Sequence, residues 1–344
     1  MENKTASVSL RMISEAAGVS RMTVSLALRN HPSLPAATRT RIQKLAGQMG
    51  YCANPELSKL MTAVRRSRNP ERQEVLAFLN SLPPQEAQFS PYPRAVLTGA
   101  VQRAQTIGYR VEVVHLNEPG MTGRRASTLL TARGVRGVLI GPLRFGIGHL
   151  SLRWADFSAV AVTHSLARPR LHRVCPNHVQ GMTLVLQQLR RLRYRRVGLV
   201  LNTNTDRRVG FNWKAMFLIY QQSVPASQRI PPLIPPGGDI PLPALQAWYQ
   251  RHKPDVIVST ANEYFVHISQ LGVRIPEQLG FVALDYCKTD CDLATLDQNY
   301  TAIGAAGVDL LTGLLHRNER GIPAVTQTVQ LDGIWRPGRT LRQT

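Results

Sequence analysis

Between residues 9 and 50 the apolar positions recur at helical spacing in three short blocks separated by polar punctuation. Ser9 is placed to cap a helix over Leu10–Ala17, whose inward face carries Leu10, Ile13 and Ala17. Gly18 supplies the left-handed residue that ends it. Ser20 caps a second helix, Arg21 to about Arg29, with Val24 and Leu28 inward. A third, about Ala36–Met49, buries Ile42, Leu45 and Met49 and stops at Gly50. The link Gly18-Val19-Ser20 lets the first two helices cross steeply, which predicts a helix-turn-helix unit. A three-helix unit this small hides little surface, so its outward residues are available to a partner.

Beyond it, Asn54 caps and Pro55 begins a further short helix through Val64, with Leu57, Leu60, Met61 and Val64 on one side. Arg65, Arg66, Arg68 and Arg72 follow as a basic linker around Asn69-Pro70. From Val75 the pattern changes to short apolar runs alternating with helical stretches. Strands are expected at Val75–Leu79, Arg110–His115, Gly137–Ile140, Ala159–Thr163, Val197–Leu201, Val256–Ser259 and Gly280–Leu284. Helices are expected at about Pro93–Ile107, Thr122–Ala132, Gln180–Leu192, Asn212–Gln222, Pro243–Arg251, Tyr264–Leu271 and Thr301–Leu315. This alternation predicts parallel βαβ units, arranged as two doubly wound parallel sheets with a cleft between them. The predicted organisation is an all-α head over residues 1–53, a hinge over 54–73 and an α/β body over 74–344. In the body, an N-lobe takes about 74–175 plus 298–322, and a C-lobe about 176–297 plus 323–338. The chain would cross between them near Cys175–Asn177, near Gln298 and near Pro323.

Charge adds a partner to this picture. The 344 residues carry a formal net charge of +21, which points towards a polyanion. Residues 1–72 hold 12 Lys/Arg against 4 Asp/Glu, making the N-terminal piece far more basic per residue than the remainder. The excess elsewhere is diffuse and reads as solubility. The opening MENKTASVSLRM has no apolar core of the kind a signal peptide needs, and no run of 18 apolar residues offers a membrane span. Of the cysteines Cys52, Cys175, Cys287 and Cys291, only the last two are close in sequence, and no His/Cys pair has zinc spacing. A cytoplasmic protein with reduced thiols, no metal and no cofactor is the expectation. There is no P-loop, no HExxH, no GxSxG and no GxGxxG after a strand, so an enzyme is not expected.

In a helix-turn-helix the second helix enters the major groove of double-stranded DNA. Its outward positions here are Arg21, Met22, Ser25 and Leu26. Arg21 suits guanine O6/N7, while Met22 and Leu26 can meet thymine methyls or sense shape. Ser20, Thr23 and Asn30 suit phosphates; the bland alternative is that Thr23 and Ser25 only cap or solvate the helix.

The segment SLRMISEAAGVSRMTVSLALRNHPSLPAATRTRIQKLAGQMGYCANP resembles the DNA-binding head of the lactose repressor/purine repressor (LacI/GalR) family. The likeness lies in the AGVS-xx-TVS-xxL core, the TR-x-RI helix and the GY-xx-NP exit. It continues more weakly through RGVRGVLIGP, LRRLRYRRVGLV, LGVRIPEQLGFVALD and TLDQN. The resemblance implies a periplasmic-binding-protein-like body, a homodimer on a near-palindromic operator, and a small-molecule effector, possibly a carbohydrate, in the interlobe cleft. It also implies paired hinge helices that push Leu60 into the minor groove, with Leu57 and Lys59 beside it. Many members carry Arg where this chain has Leu26, which shifts base reading towards Arg21 and Met22. In the cleft the resemblance marks Asp285, Asn262 in STANEY, and Arg207 or Arg208 as effector contacts. Trp213 and Tyr92 offer stacking faces, while Asn177-His178 departs from the usual Asp-Asn. Two other readings share parts of this pattern: a solute-binding protein, which needs the body without the head, and a non-specific architectural DNA-binding protein, which needs the charge and the leucine wedge.

Overall fold

The computed structural model describes residues 8–51, 74–82, 91–143, 148–285 and 292–342, with the side chains of Pro91 and residues 261–263 also outside the description. The hinge helix and its Leu57, Lys59 and Leu60 therefore lie outside the described residues.

The head consists of α1 (Leu10–Ala17), α2 (Arg21–Leu28) and α3 (Ala36–Gln48). The Ser9 hydroxyl accepts from the Met12 amide and the Ser20 hydroxyl from the Thr23 amide, so both predicted caps form. Gly18 ends α1 at φ 65°, a conformation glycine adopts without the clash a Cβ would bring. Ile13, Ala17, Val24, Ala27, Ile42 and Ala46 make the core of the unit, with Leu10, Leu28, Leu45 and Met49 packed partly buried around them. Polar ties supplement this small core. The Arg41 guanidinium donates to the Ala17 carbonyl at 3.3 Å, and the Gln43 amide donates to the Ala27 carbonyl at 2.8 Å.

The body begins at β1 (Glu74–Asn80). There follow α4 (Pro91–Thr106), β2 (Tyr109–His115), α5 (Gly123–Ala132), β3 (Gly137–Ile140), β4 (Gly148–His149), β5 (Ser158–Val162), β6 (Leu166–Arg168) and β7 (His172–Pro176). The chain continues through α6 (His178–Arg191), β8 (Val197–Val200), α7 (Thr203–Arg208), α8 (Asn212–Ser223), α9 (Leu242–His252), β9 (Val256–Ser259), α10 (Ala261–Ser269) and β10 (Gly280–Ala283). It closes with β11 (Ala294–Asp297), α11 (Tyr300–Arg317), β12 (Thr328–Leu331) and β13 (Ile334–Arg336).

One sheet has the order β12-β7-β5-β3-β1-β2, and all its neighbours are parallel. A second has the order β13-β11-β10-β9-β8, parallel except for β13 against β11. The central strands β3, β5, β9 and β10, and the edge strand β8, are buried throughout, as parallel strands covered on both faces must be. Four apolar clusters follow, two for each sheet.

The chain passes from the first sheet to the second after Pro176 and returns after Asp297, because α11 packs on the first sheet through Ile303, Val308 and Leu311. The third crossing departs from the expectation. Thr328–Leu331 still pairs with β7 in the first sheet, so the chain crosses at Asp332-Gly333 rather than near Pro323. Pro323 lies half-buried in an irregular segment that leads into another strand of the same lobe. The first and third crossings are tied together. Asn177 donates to the Asp332 carboxylate at 2.9 Å, and the Gly333 amide donates to Gln180 Oε1 at 3.2 Å.

Candidate functional site

Two surfaces carry the expected chemistry. On the head, α2 presents Arg21 and Met22 to solvent, and Met22 is a large apolar side chain 68% exposed among the described residues. Ser25 and Leu26 are half-buried. The Ser25 hydroxyl accepts from Arg29 Nη2 at 3.1 Å, and Arg29 Nε donates to the Ser25 carbonyl, so this serine is committed to its own helix. Ser20 and Thr23 share a 2.9 Å hydroxyl contact at the start of α2. That end carries the positive pole of the helix and its unpaired amides, an arrangement suited to phosphate. Asn30 is exposed, and its carbonyl meets the side-chain amide of Asn318 from the body.

The second surface is the interlobe cleft at the carboxyl ends of the two sheets, the position where α/β lobes bind ligands. Tyr92 comes from α4, Arg208 from the end of α7, Trp213 from α8, and Asp285 from the segment after β10. The structure thus brings together four of the six residues expected there. Arg208 stands over the Tyr92 ring at 5.7 Å from its centroid, whereas Arg207 is exposed and absent from the cavity wall. Asn262 lies in the first turn of α10, with its side chain outside the description.

Residues that sequence reasoning passed over complete the wall. Tyr300, at the start of α11, stacks against Tyr92 with centroids 5.0 Å apart and donates to Asp285 Oδ1 at 3.0 Å. His164 and His178 lie 5.3 Å apart, and His178 meets Trp213 edge-on at 4.8 Å. His164 follows Thr163, a β-branched residue held at φ 70°. That conformation costs on the order of 1–3 kcal/mol. It is held by the Thr163 amide, which donates to the Val174 carbonyl at 2.8 Å, and by the Arg173 guanidinium on the Thr163 carbonyl.

Electrostatics follow burial. His164 is lowered to about 4 by burial and then by Arg173, and His178 to about 3 by burial, then His164 and Arg208, so both are neutral at pH 7. The hydroxyls of Tyr92 and Tyr300 are pushed up by burial, and for Tyr300 by the Asp285 charge next. Arg208 stays charged, since Tyr92, Asp285 and Tyr300 offset its desolvation. Among the described residues, His164 Nε2, His178 Nδ1 and Trp213 Nε1 have no hydrogen-bond partner. The walls leave a cavity of only about 20 Å³. That is room for one water, so a larger ligand requires the lobes to part.

Among the described residues no group of three His, Cys, Asp or Glu is placed to hold a metal ion. Cys175 is a buried free thiol pushed up to about 11 by burial, which is unsuited to nucleophilic chemistry. No described helix is long and apolar enough to cross a membrane.

The family model "Bacterial regulatory proteins, lacI family" matches residues 9–54. No curated protein matches the chain. Among solved structures, the complex of the transcriptional regulator CelR with cellobiose is 17% identical, covers 97% of this chain and 99% of its own, and gives a TM-score of 0.54. The lac repressor dimer bound to operator and the anti-inducer ONPF has the same identity, coverage and TM-score. A putative transcriptional regulator of the LacI family from Rhizobium etli is 17% identical over 78% of this chain and 99% of its own, with a TM-score of 0.59. At this identity the likeness is one of fold: a three-helix head on a two-lobed α/β body.

Proposed function

We propose that this chain, which belongs through its head to the lacI family of bacterial regulatory proteins, is a sequence-specific DNA-binding transcriptional regulator of the cytoplasm. It binds a near-palindromic operator as a homodimer, as a repressor, and a small hydroxylated effector in the interlobe cleft sets its affinity. The observation that carries this reading is α2, capped by Ser20 and presenting Arg21 and Met22 outward from a head that matches the family model. The printed descriptions of its structural neighbours, one with cellobiose and one with operator and ONPF, support the pairing of operator with carbohydrate-like effector. We assign no catalytic activity.

In this account Arg21 reads guanine, Met22 and Leu26 contact thymine methyls, and Ser20, Thr23 and Asn30 position the head on phosphate. Ser25 supports the helix through Arg29. Leu57, Lys59 and Leu60 contribute minor-groove and phosphate contacts from the hinge. Tyr92, Arg208, Trp213, Asn262 and Asp285 contact the effector, with Tyr300 orienting Asp285. A ligand that parts or closes the lobes acts at the three crossings and so on the spacing of the two hinges, which is coupling through a two-state element.

Incubating the purified chain with fragmented genomic DNA and sequencing what it retains tests the reading. The expected result is enrichment of a short inverted repeat upstream of a small set of genes. Retention of fragments without a shared sequence would assign the chain to non-specific architectural binding instead.

A further inference from the structure

We propose that the interlobe cleft takes an acidic ligand, a carboxylate or phosphate carried on a hydroxylated skeleton, with the acid group seated on the His164–His178–Arg208 wall and the hydroxyls on Asp285. This rests on the reading of the cleft as an effector site and gives that effector a charge.

The first argument is a count of charges. Among the described residues, Asp285 is the one carboxylate lining the cavity, and it already accepts from Tyr300. Two guanidiniums face it or lie directly behind its wall. Arg208 stands within the cavity, and Arg173 sits behind His164 with its donors spent on the carbonyls of Thr163 and Leu166. With neutral histidines Asp285 offsets Arg208 within the cavity, and the positive excess comes from Arg173 behind the His164 wall, where no described carboxylate acts on it. A buried charge without a counter-charge is costly, and a monoanion removes that cost.

The second argument is geometry. His178 and Trp213 are 4% and 1% exposed, both line the cavity, and both keep a nitrogen without a partner. The Trp213 indole N–H can only donate. His164 also lines the cavity; with its other nitrogen on the Pro176 carbonyl, Nε2 is the atom that changes from acceptor to donor on protonation, and it has no partner among the described residues. A neutral sugar satisfies these three atoms one hydroxyl at a time. An oxyanion satisfies the indole, both imidazoles and Arg208 together, through charge-assisted bonds.

The groups facing this pair are few. Arg173 and the Pro176 carbonyl face His164; Arg208 and Trp213 face His178; Asp285, Tyr92 and Tyr300 form the opposite wall. In the cleft as it stands burial keeps both imidazoles neutral at pH 7. A bound anion favours their charged form, so binding takes up protons, and affinity for the acid rises as pH falls.

The test uses matched probes on the full chain: glucose as the neutral parent against gluconate, glucuronate and glucose 6-phosphate. Trp213 emission reports the cleft, and Trp213→Phe shows which part of the signal comes from it. The expected result is that at least one acid binds about tenfold or more tighter than glucose, as a charge-assisted contact gives, and tighter at pH 6 than at pH 8. Arg208→Gln and His178→Gln should erase that preference while the thermal melt stays cooperative. Should either variant fail to fold, the pH profile of the wild-type chain decides. Glucose binding as tightly as every acid, affinity independent of pH, or no Trp213 response to any acid at millimolar concentration overturns the proposal. Measuring operator affinity with each probe separates this proposal from the one beneath it. An acid that binds the cleft without changing operator affinity leaves the ligand class standing and removes the regulatory coupling. Glucose changing it while the acids do not does the reverse.

Discussion

At the level of single residues, the cleft was half legible. Tyr92 and Trp213 sit at helix starts and Asp285 just after a strand, while Arg208 ends a short helix; the family likeness marks Asp285 and the Arg207-Arg208 pair. Arg207 and Arg208 could not be told apart by spacing, because α7 is six residues long and which neighbour faces inward depends on the tertiary packing. His164, His178 and Tyr300 gave no signal. They come from three segments joined only when the chain crosses between lobes, and among nine histidines nothing in sequence separates a cleft residue from a surface one. Burial of the two imidazoles carries a stability prediction. Each titrates near 6.5 in the unfolded chain but at about 4 or about 3 in the folded one, so the unfolded state binds more protons between those values. Stability is then lost as pH falls from about 6.5 towards 4, by at most about 2 kcal/mol per histidine at pH 5, less for the more accessible His164. Melting temperatures at pH 7.5 and pH 5 should fall less steeply for a His164→Asn, His178→Asn double variant than for the parent chain. Equal slopes would mean the two rings are not buried as described.

Element by element, the periodic helices and most apolar strands fell where the pattern put them, the edge strands β2 and β8 included, whereas β7, β11, β12 and β13 were not expected. Thr328–Leu331 and Ile334–Arg336 alternate half-exposed with exposed, and His172–Pro176 opens on polar residues, so neither carries the apolar run that marks a buried strand. Ala294–Asp297 is only four residues long. A different constraint fixes how α11 meets α4. A Cβ on Gly304 would come within 2.0 Å of the Val96 carbonyl oxygen, and one on Gly99 within 1.8 Å of the Thr301 carbonyl oxygen. The two helices approach at the distance glycine permits, so Gly304→Ala forces backbone apart and should cost roughly 1–3 kcal/mol, read as a lowered denaturant midpoint. An unchanged midpoint would contradict that close crossing. In the head, Ser20→Ala removes the α2 cap and should cost about 1 kcal/mol of head stability. Selective faster amide exchange in α2 would show it; unaltered protection there would mean the cap contributes little.

For the whole molecule, the sequence carried the head and the two-lobed body but misplaced the last crossing. The last crossing was expected near Pro323, but the chain still adds β12 to the first sheet before crossing at Asp332-Gly333. The corrected crossing joins Asn177 to Asp332 and Gln180 to Gly333, and so ties the first and third interlobe crossings into one unit. The central claim is that this unit governs a head that reads sequence through α2. The most direct measurement is fluorescence anisotropy of the chain on its enriched inverted repeat, with random DNA as competitor, for the parent and for Arg21→Ala. The account predicts that random DNA competes at least about a thousandfold less well than the repeat, and that Arg21→Ala loses about tenfold or more on the repeat with little change on random DNA. Equal competition by random DNA, or an Arg21→Ala loss shared equally by both, would contradict it.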